Sequence, residues 1–295
     1  MPASTERYDL LTRRLERFTQ MLQAAGEGDI RALHQTRVAG RRLREVLPVL
    51  DLRPDVARKL NRRLRKVSQR LGSVRELDVQ CLLIEELAAT GRYDAQAIRK
   101  VGAFVENQRK RARKKLLARL PTEELRRISG KLERVADGLR TKKVSRGWRW
   151  AVDARVTHRA LALKTAIAHA GALYLPERLH VVRIALKKLR YAREVAAEAS
   201  GQKAATDLRL LKRSQDVLGR LHDVQVLIES VRQLQPSLPP REAALSRRLD
   251  TLMIALEDEC RRLHARFMHQ RSDVLSACDR AAGPRATAAA RRAAS

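Results

Sequence analysis

Two blocks of sequence each occur twice in this chain, in the same order and at almost the same separation. HQTRVAGRRLRE begins at His34, and a close copy, HVVRIALKKLRY, begins at His180. LRKVSQRLGSVRELDV begins at Leu64 and aligns without gaps with LKRSQDVLGRLHDVQV, which begins at Leu211. The two offsets differ by a single residue, and chance is a poor explanation for such agreement. The repeat therefore predicts two tandem copies of one folding unit, packed around a pseudo-two-fold axis.

The folding unit is expected to be helical, because apolar residues recur with helical periodicity along nearly the whole chain. The strong helix formers Ala, Leu, Arg and Glu are abundant. Aromatic residues make up only 3% of the 295 residues, which argues against an all-β fold. We predict an all-α protein with two helical halves, residues 5–140 and 148–280, joined by the polar stretch 141–147. A low-complexity Ala/Arg-rich tail, 281–295, is expected to be disordered.

Proline and glycine indicate several helix ends. Pro54 and Pro176 stand where a first helical turn tolerates proline, and Pro48 should kink or end the helix that contains it. Each copy of the second block contains a Leu-Gly pair, and we expect Gly72 and Gly219 to end helices in the left-handed conformation. Each repeat should then have separate helices on either side of its Leu-Gly pair.

The net charge is +30, from 63 Lys and Arg residues against 33 Asp and Glu residues. Repulsion at this density destabilises a compact state, so a polyanionic partner is the natural inference. DNA, RNA, an anionic membrane surface and a polymer of phosphate all fit the sign of the charge. A general drift of neutral positions towards arginine is the alternative explanation.

The first block places its basic residues on one face of a helix in both copies. At about 100° per residue, positions i, i+3, i+7 and i+10 share a face, and ten residues at ~1.5 Å each give a line of charge about 15 Å long. Such a line suits a row of phosphates. A single stripe is most simply the solvated face of an amphipathic helix, but two copies with the same leading His favour a binding site. The two predicted stripes are His34, Arg37, Arg41 and Arg44, and His180, Arg183, Lys187 and Arg190.

The second block adds two auxiliary candidates. Arg75 and His222 follow the Leu-Gly pairs, where a new helix is expected to begin, and helix N-termini favour anions. Glu76 and Asp223, beside them, are interpreted as helix-start carboxylates rather than catalytic groups.

The doubled H-x-x-R-[VI]-x-x-[RK]-[RK]-L-R block, each copy followed by L-G-x-[VL]-[RH]-[ED], resembles the CHAD family, the conserved histidine α-helical domain. The resemblance covers roughly residues 5–275. It implies two pseudo-symmetric helical-bundle halves around a basic central groove that binds inorganic polyphosphate, and in some members association with polyphosphate granules. Carried over by position, the resemblance adds Arg42 and Lys188 on the two basic helices, and Arg65 and Lys212 at matching places in the second block. The first copy departs from the second at Gly40 and Glu45, which suggests a less tightly packed helix, and Ser214 replaces a usual leucine.

No catalytic centre, metal or cofactor is expected. A metal-dependent phosphohydrolase needs several converging His and Asp ligands, and only the pair His222-Asp223 hints at one. CHAD domains are often fused to a CYTH triphosphatase, whose E-x-E-x-K strand has no credible counterpart here, so a stand-alone CHAD domain is expected. The predicted function is therefore non-catalytic binding.

The remaining features concern compartment and rival partners. Three widely spaced cysteines form neither a disulfide framework nor a metal pair, and no secretory signal or spanning stretch of apolar residues is evident, so we expect a cytoplasmic, non-membrane protein. DNA binding is the main alternative, because the charge permits it. Aromatic stacking platforms are almost lacking and no helix-turn-helix signal is evident, which weakens that alternative.

Overall fold

Helix boundaries in the computed structural model fall close to the positions that proline indicates. Residues 4–26, 30–118, 122–141, 147–200 and 205–292 are described, and within these ranges the chain forms ten α-helices and no β-strand, which confirms the all-α class. The helices are α1 (Ser4–Gly26), α2 (Ile30–Val46), α3 (Pro54–Arg70), α4 (Gly72–Ala89), α5 (Ala95–Leu117), α6 (Thr122–Thr141), α7 (Gly147–Ala170), α8 (Pro176–Ser200), α9 (Ala205–Leu234) and α10 (Ala243–Arg292).

Proline acts as predicted at three helix ends. Pro54 and Pro176 are the first residues of α3 and α8, and α2 gives way at Val46 to a short 3-10 turn that contains Pro48. The missing N–H of proline costs nothing in a first turn, whereas inside a helix it removes a hydrogen bond.

The Leu-Gly pairs behave differently from the prediction. Gly72 opens α4, and Gly219 lies inside the continuous helix α9, so neither adopts a positive φ. The predicted left-handed caps, and the predicted break at Gly219, are therefore wrong. Leu218, Leu221 and Val224 are buried on one face of α9 across the glycine. Burial of this continuous apolar face outweighs the ~1 kcal/mol that glycine costs inside a helix.

Two hydrophobic clusters hold the helices together. One is formed by α7, α8, α9 and α10 together with α4 and α5. The other is formed by α1, α2, α3 and α6 with neighbouring ends of α4, α5, α7 and α8. The clusters therefore do not divide at 141–147, because α4 and α5 from the first half pack against the second half. The halves 5–140 and 148–280 stay a prediction about the repeat.

Helix neighbours recur along the chain. α1 packs against α2 and α6, and α7 packs against α8 and α10, while α4 packs against α5 and α9 against α10. A tandem repeat would give this recurrence, with the long helix α9 in the place of α3 and α4. The pseudo-two-fold axis itself stays a prediction, as does the disorder of the tail 281–295, where α10 kinks at Gly283 with φ 73°.

The departures at Gly40 and Glu45 do not loosen α2. Gly40 is buried, and a Cβ atom added there would lie in ordinary contact with the Ser68 hydroxyl, at 3.5 Å, so α2 and α3 already pack closely at this position. Glu45 is 9% exposed, and its carboxylate accepts hydrogen bonds from Arg155 at 2.8 Å and Arg159 at 3.3 Å. The expectation of weaker packing in the first copy is wrong.

Ser214 is fully buried in α9 and donates a hydrogen bond of 2.8 Å to Gln270 Oε1. This hydrogen bond satisfies the buried hydroxyl, which stands where a leucine side chain is usual. Across the described helices, none is both long enough and apolar enough to cross a membrane.

Candidate anion-binding site

The stripes on α2 and α8 lie side by side, because these two helices pack against each other. At the centre are Arg37 and Arg41 of α2 and Arg183 and Lys187 of α8, which we call the central cluster. Arg41 is close enough to influence the pKa of each of the other three. Helical periodicity therefore places these cations on matching faces, and the contact between α2 and α8 turns the faces towards each other.

Burial and mutual repulsion perturb the central cluster strongly. Burial is the largest cause that lowers the pKa of Lys187 from 10.5 to about 7, and the charges of Arg183 and Arg41 add to it. Burial also lowers the pKa of Arg37 and of Arg183, and Arg41 again contributes in both. Such shifts mean that the fold holds these cations in an environment that disfavours their charge.

Carboxylates offset the central cluster only in part. Asp223 of α9 raises the pKa of Arg183 and of Lys187, and Glu76 of α4 raises that of Arg37. Among the described residues, no carboxylate forms an ion pair with any of the four cations. Excess positive charge therefore remains in a half-buried region, where an anion would be less screened than on an open surface.

The histidines gather at one end of the stripes. His180 and His222 lie with their Nδ1 atoms 3.4 Å apart, and His222 Nε2 lies 3.9 Å from Glu76 Oε1. Burial, then the charge of Arg183, lowers the pKa of His222 to about 4. His34 of α2 has its pKa lowered to about 4 by burial and then by Arg75. The imidazoles of His34 and His222 are therefore neutral at pH 7, so each can donate one N–H hydrogen bond.

Arg75 and His222 lie beside the stripes, although not for the predicted reason. His222 is in the middle of α9 rather than at the start of a helix, and Arg75 is in the first turn of α4. Gly72, one turn before Arg75, lies under the guanidinium of Arg37, since a Cβ atom there would be 3.5 Å from Arg37 Nη2. A methyl group at position 72 would be in ordinary contact with Arg37, whereas a longer side chain there would meet the guanidinium.

The other end of the stripes is formed by Arg44 and Lys188, with Arg65 of α3 beside them. Burial lowers the pKa of Arg44, and Arg65 and Arg159 add to the effect. Burial also lowers the pKa of Lys188, with Arg159 as the next cause. Arg159 and Arg155 of α7 were not predicted from the sequence, since α7 carries neither repeated block. The buried Glu45 required a cationic partner, but nothing in the sequence identified α7 as its source.

Three further predicted residues are engaged by protein groups. Arg42 lies 3.7 Å from Glu194, which also pairs with Arg190. Arg190 donates a hydrogen bond of 2.8 Å to Gln215 and lies over the ring of Tyr191. The exposed Lys212 pairs with Asp216 at 2.6 Å, one turn along α9. The contacts of Lys212 do not connect it to the central cluster.

Sequence and structure comparisons give a consistent result. The family model of the CHAD domain matches residues 9–232, which is more than half of the chain. A crystal structure of the CHAD domain from the plant Ricinus communis is 22% identical, with a TM-score of 0.64 over 91% of this chain and 92% of that chain. PptA from Streptomyces chartreusis is 19% identical, with a TM-score of 0.61 over 95% of this chain and 99% of that chain. A search of curated proteins finds no match.

Proposed function

This chain belongs to the CHAD domain family, and we propose that it binds inorganic polyphosphate, without catalysis, through the paired stripes of α2 and α8. The family is associated with polyphosphate. The observation that carries the proposal for this chain is the central cluster. Four cations from two helices lie together, partly buried and without ion pairs among the described carboxylates.

A linear phosphate chain matches the shape of this arrangement. The stripes run together from His34 and His180 at one end to Arg44 and Lys188 at the other, over about 15 Å of helix at ~1.5 Å per residue. Guanidinium groups offer two parallel donors to phosphate oxygens, and lysine offers a compact charge. The neutral histidines can donate to phosphate oxygens at the end of the row. A row of donors of this length suits several successive phosphates.

The chemistry of the site favours binding over turnover. Its carboxylates, Asp223 and Glu76, lie among arginines, and burial raises the pKa of Asp223. In the described part of the chain, no three His, Cys, Asp or Glu side chains come together as a metal site. We therefore propose a binding protein rather than an enzyme. Association with polyphosphate granules in the cytoplasm is the corresponding cellular proposal, and co-localisation with stained granules tests it.

A titration with long-chain polyphosphate tests the proposed site. The site variant replaces Arg37, Arg41 and Arg183 by glutamine and Lys187 by methionine. We expect it to lose most of its affinity in isothermal titration calorimetry at physiological salt, because it removes the cations that no carboxylate neutralises.

The matched control removes four exposed cations of α5, none of which is ion-paired with a described residue: Lys110, Arg111, Lys114 and Lys115. It carries the same formal net charge as the site variant and should bind nearly as well as the wild type. Equal losses in the two variants would show that the overall charge, and not the paired stripes, binds the polymer. Displacement of polyphosphate by duplex DNA at equal phosphate concentration would favour the nucleic-acid alternative instead.

A further inference from the structure

Helix α3 carries a large excess of positive charge. Of its 17 residues, seven are Lys or Arg and one, Asp55, is acidic. Leu60, Leu64 and Val67 bury one face of the helix. The cations occupy all the remaining sides, and Arg65, on the side of α2, is near Arg44 of the stripes. The opposite side of α3 faces α6.

A groove runs between α3 and α6 on that opposite side. It consists of two adjoining cavities of about 600 Å³ and about 320 Å³ that share Arg63, Lys131 and Arg134. Arg127 also lines the first cavity, and Lys59 also lines the second. Arg127, Lys131 and Arg134 are spaced so that they share one face of α6, as in the predicted stripes. Five cations from two helices therefore line one groove.

The carboxylates of this groove are already engaged by arginines outside its lining. Glu124 lies 2.7 Å from Arg70, and Asp55 lies 3.3 Å from Arg53. Within the described ranges, no carboxylate pairs with Lys59, or with any of the four other lining cations. The groove therefore has a surplus of about five positive charges that the protein itself does not neutralise.

We propose that the groove between α3 and α6 is a second binding site for polyphosphate, engaged by chains long enough to extend beyond the stripes. The exposed cations Arg62 and Lys66 lie on the outer surface of α3, between its two charged sides. They form a positive path across the width of one helix, about 10 Å. The inference rests on the proposed function, because it assigns a further segment of the same polymer to this chain.

Chain length distinguishes the second site from the first. The groove variant Arg63→Glu, Arg127→Glu, Lys131→Glu is compared with the wild type, using long-chain polyphosphate and tripolyphosphate as probes. Tripolyphosphate is short enough to occupy the central cluster alone, so its affinity should change less than twofold. Long-chain binding should weaken at least tenfold at low salt.

Salt dependence gives a second readout. With a log–log slope of about −0.7 per neutralised phosphate, as for single strands, the loss of three contacts reduces the slope by about 2. Between 50 and 200 mM salt, the wild-type affinity for long chains should fall roughly 20-fold further than that of the groove variant.

The matched control replaces three exposed cations of α5 and α10 by glutamate, none of which has a described ion pair: Arg99, Arg247 and Arg266. Equal effects of control and groove variants would overturn the second site, as would equal losses for long and short chains. The site is also refuted if duplex DNA competes away only the groove-dependent part, since the groove would then be a nucleic-acid surface. If the groove variant loses long-chain binding while the site variant keeps it, the proposed function of the stripes is contradicted, but the proposal of a binding site in the groove still stands.

A steric variant tests the groove without any change in charge. Gly130 lies in the groove lining, and a Cβ atom there would meet nothing within 4 Å. Gly130→Leu should place an apolar side chain in the first cavity and weaken long-chain binding, whereas Gly130→Ala should bind like the wild type. Both substitutions favour the helix, so a loss confined to the leucine variant reports occupation of the groove. Unchanged binding in Gly130→Leu would argue against it.

Discussion

Replacing Lys187 by methionine should stabilise the free protein and weaken its binding of polyphosphate. Lys187 is largely buried on α8 and faces Arg183, Arg41 and Arg37, with Asp223 as the carboxylate that offsets them. Burial and these charges lower its pKa from 10.5 to about 7. The folded protein therefore holds an ammonium group in a place that disfavours its charge. Methionine has a similar length and removes the charge without opening a large cavity.

The magnitude follows from the two pKa values. Because Lys187 has a lower pKa when folded, the unfolded chain binds more protons between about pH 7 and pH 10.5. At pH 7 this difference costs the folded state about 4 kcal/mol, and at pH 9 about 2 kcal/mol. The wild type should therefore gain roughly 2 kcal/mol of stability from this group between pH 7 and pH 9. The methionine variant lacks this contribution.

Urea denaturation at pH 7 and pH 9 measures the effect, with Lys110→Met on the exposed face of α5 as the control. Even a quarter of this cost, about 1 kcal/mol, corresponds to roughly 1–2 °C in Tm for a chain of 295 residues. A Lys187→Met variant that is no more stable than the wild type at pH 7, and has the same pH dependence, would refute the reasoning.

Polyphosphate binding provides the second half of the same prediction. A bound anion raises the pKa of Lys187, so binding takes up protons, and the affinity should fall as pH rises through about 7. The limiting slope is tenfold per pH unit for one proton. Calorimetry in two buffers of different ionisation enthalpy measures the proton uptake, which Lys187→Met should remove. Proton uptake that persists in the variant would assign it to the histidines instead.

Two further substitutions test the surroundings of the site. Glu45→Gln should destabilise the protein by about 3 kcal/mol in urea denaturation, because Arg155 and Arg159 would lose the buried carboxylate that holds them. Stability within 1 kcal/mol of the wild type would show that these arginines reach water. Gly72→Leu should displace the Arg37 guanidinium and weaken polyphosphate binding in calorimetry, whereas Gly72→Ala, whose Cβ would be 3.5 Å from Nη2, should be tolerated. Equal binding by these two variants would contradict a role for the glycine in placing Arg37.

The stripes could be predicted from the sequence because helical geometry fixes them locally. Once α2 and α8 are helices, the spacing of Arg37 and Arg41, and of Arg183 and Lys187, determines that each pair shares a face. The repeat led us to expect that the two faces meet, and the packing of α2 against α8 brings them together. The burial that lowers the pKa of Lys187 depends on tertiary packing, which no spacing encodes.

Other features depend on residues far apart in sequence. Gly219 has the same local signal as Gly72, yet one is inside a helix and the other begins one, because packing decides whether the helix continues. The α3/α6 groove brings Arg63 near Lys131, and each helix alone has the pattern of an ordinary solvated face. Arg155 and Glu45 meet across the repeat boundary. In each case the deciding partner is a distant helix, so local pattern was insufficient.

The central cluster lies where the two hydrophobic clusters meet. Most of α2 packs in one hydrophobic cluster and most of α8 in the other, so repulsion between the stripes acts at the contact between the clusters. A polyphosphate chain in this position would replace repulsion across the contact with attraction from both sides. Binding at 100 times Kd would stabilise the folded state by about 2.7 kcal/mol. The same cations that weaken the free protein would then join its two clusters in the complex, so stability and binding should change in opposite directions when any one of them is neutralised.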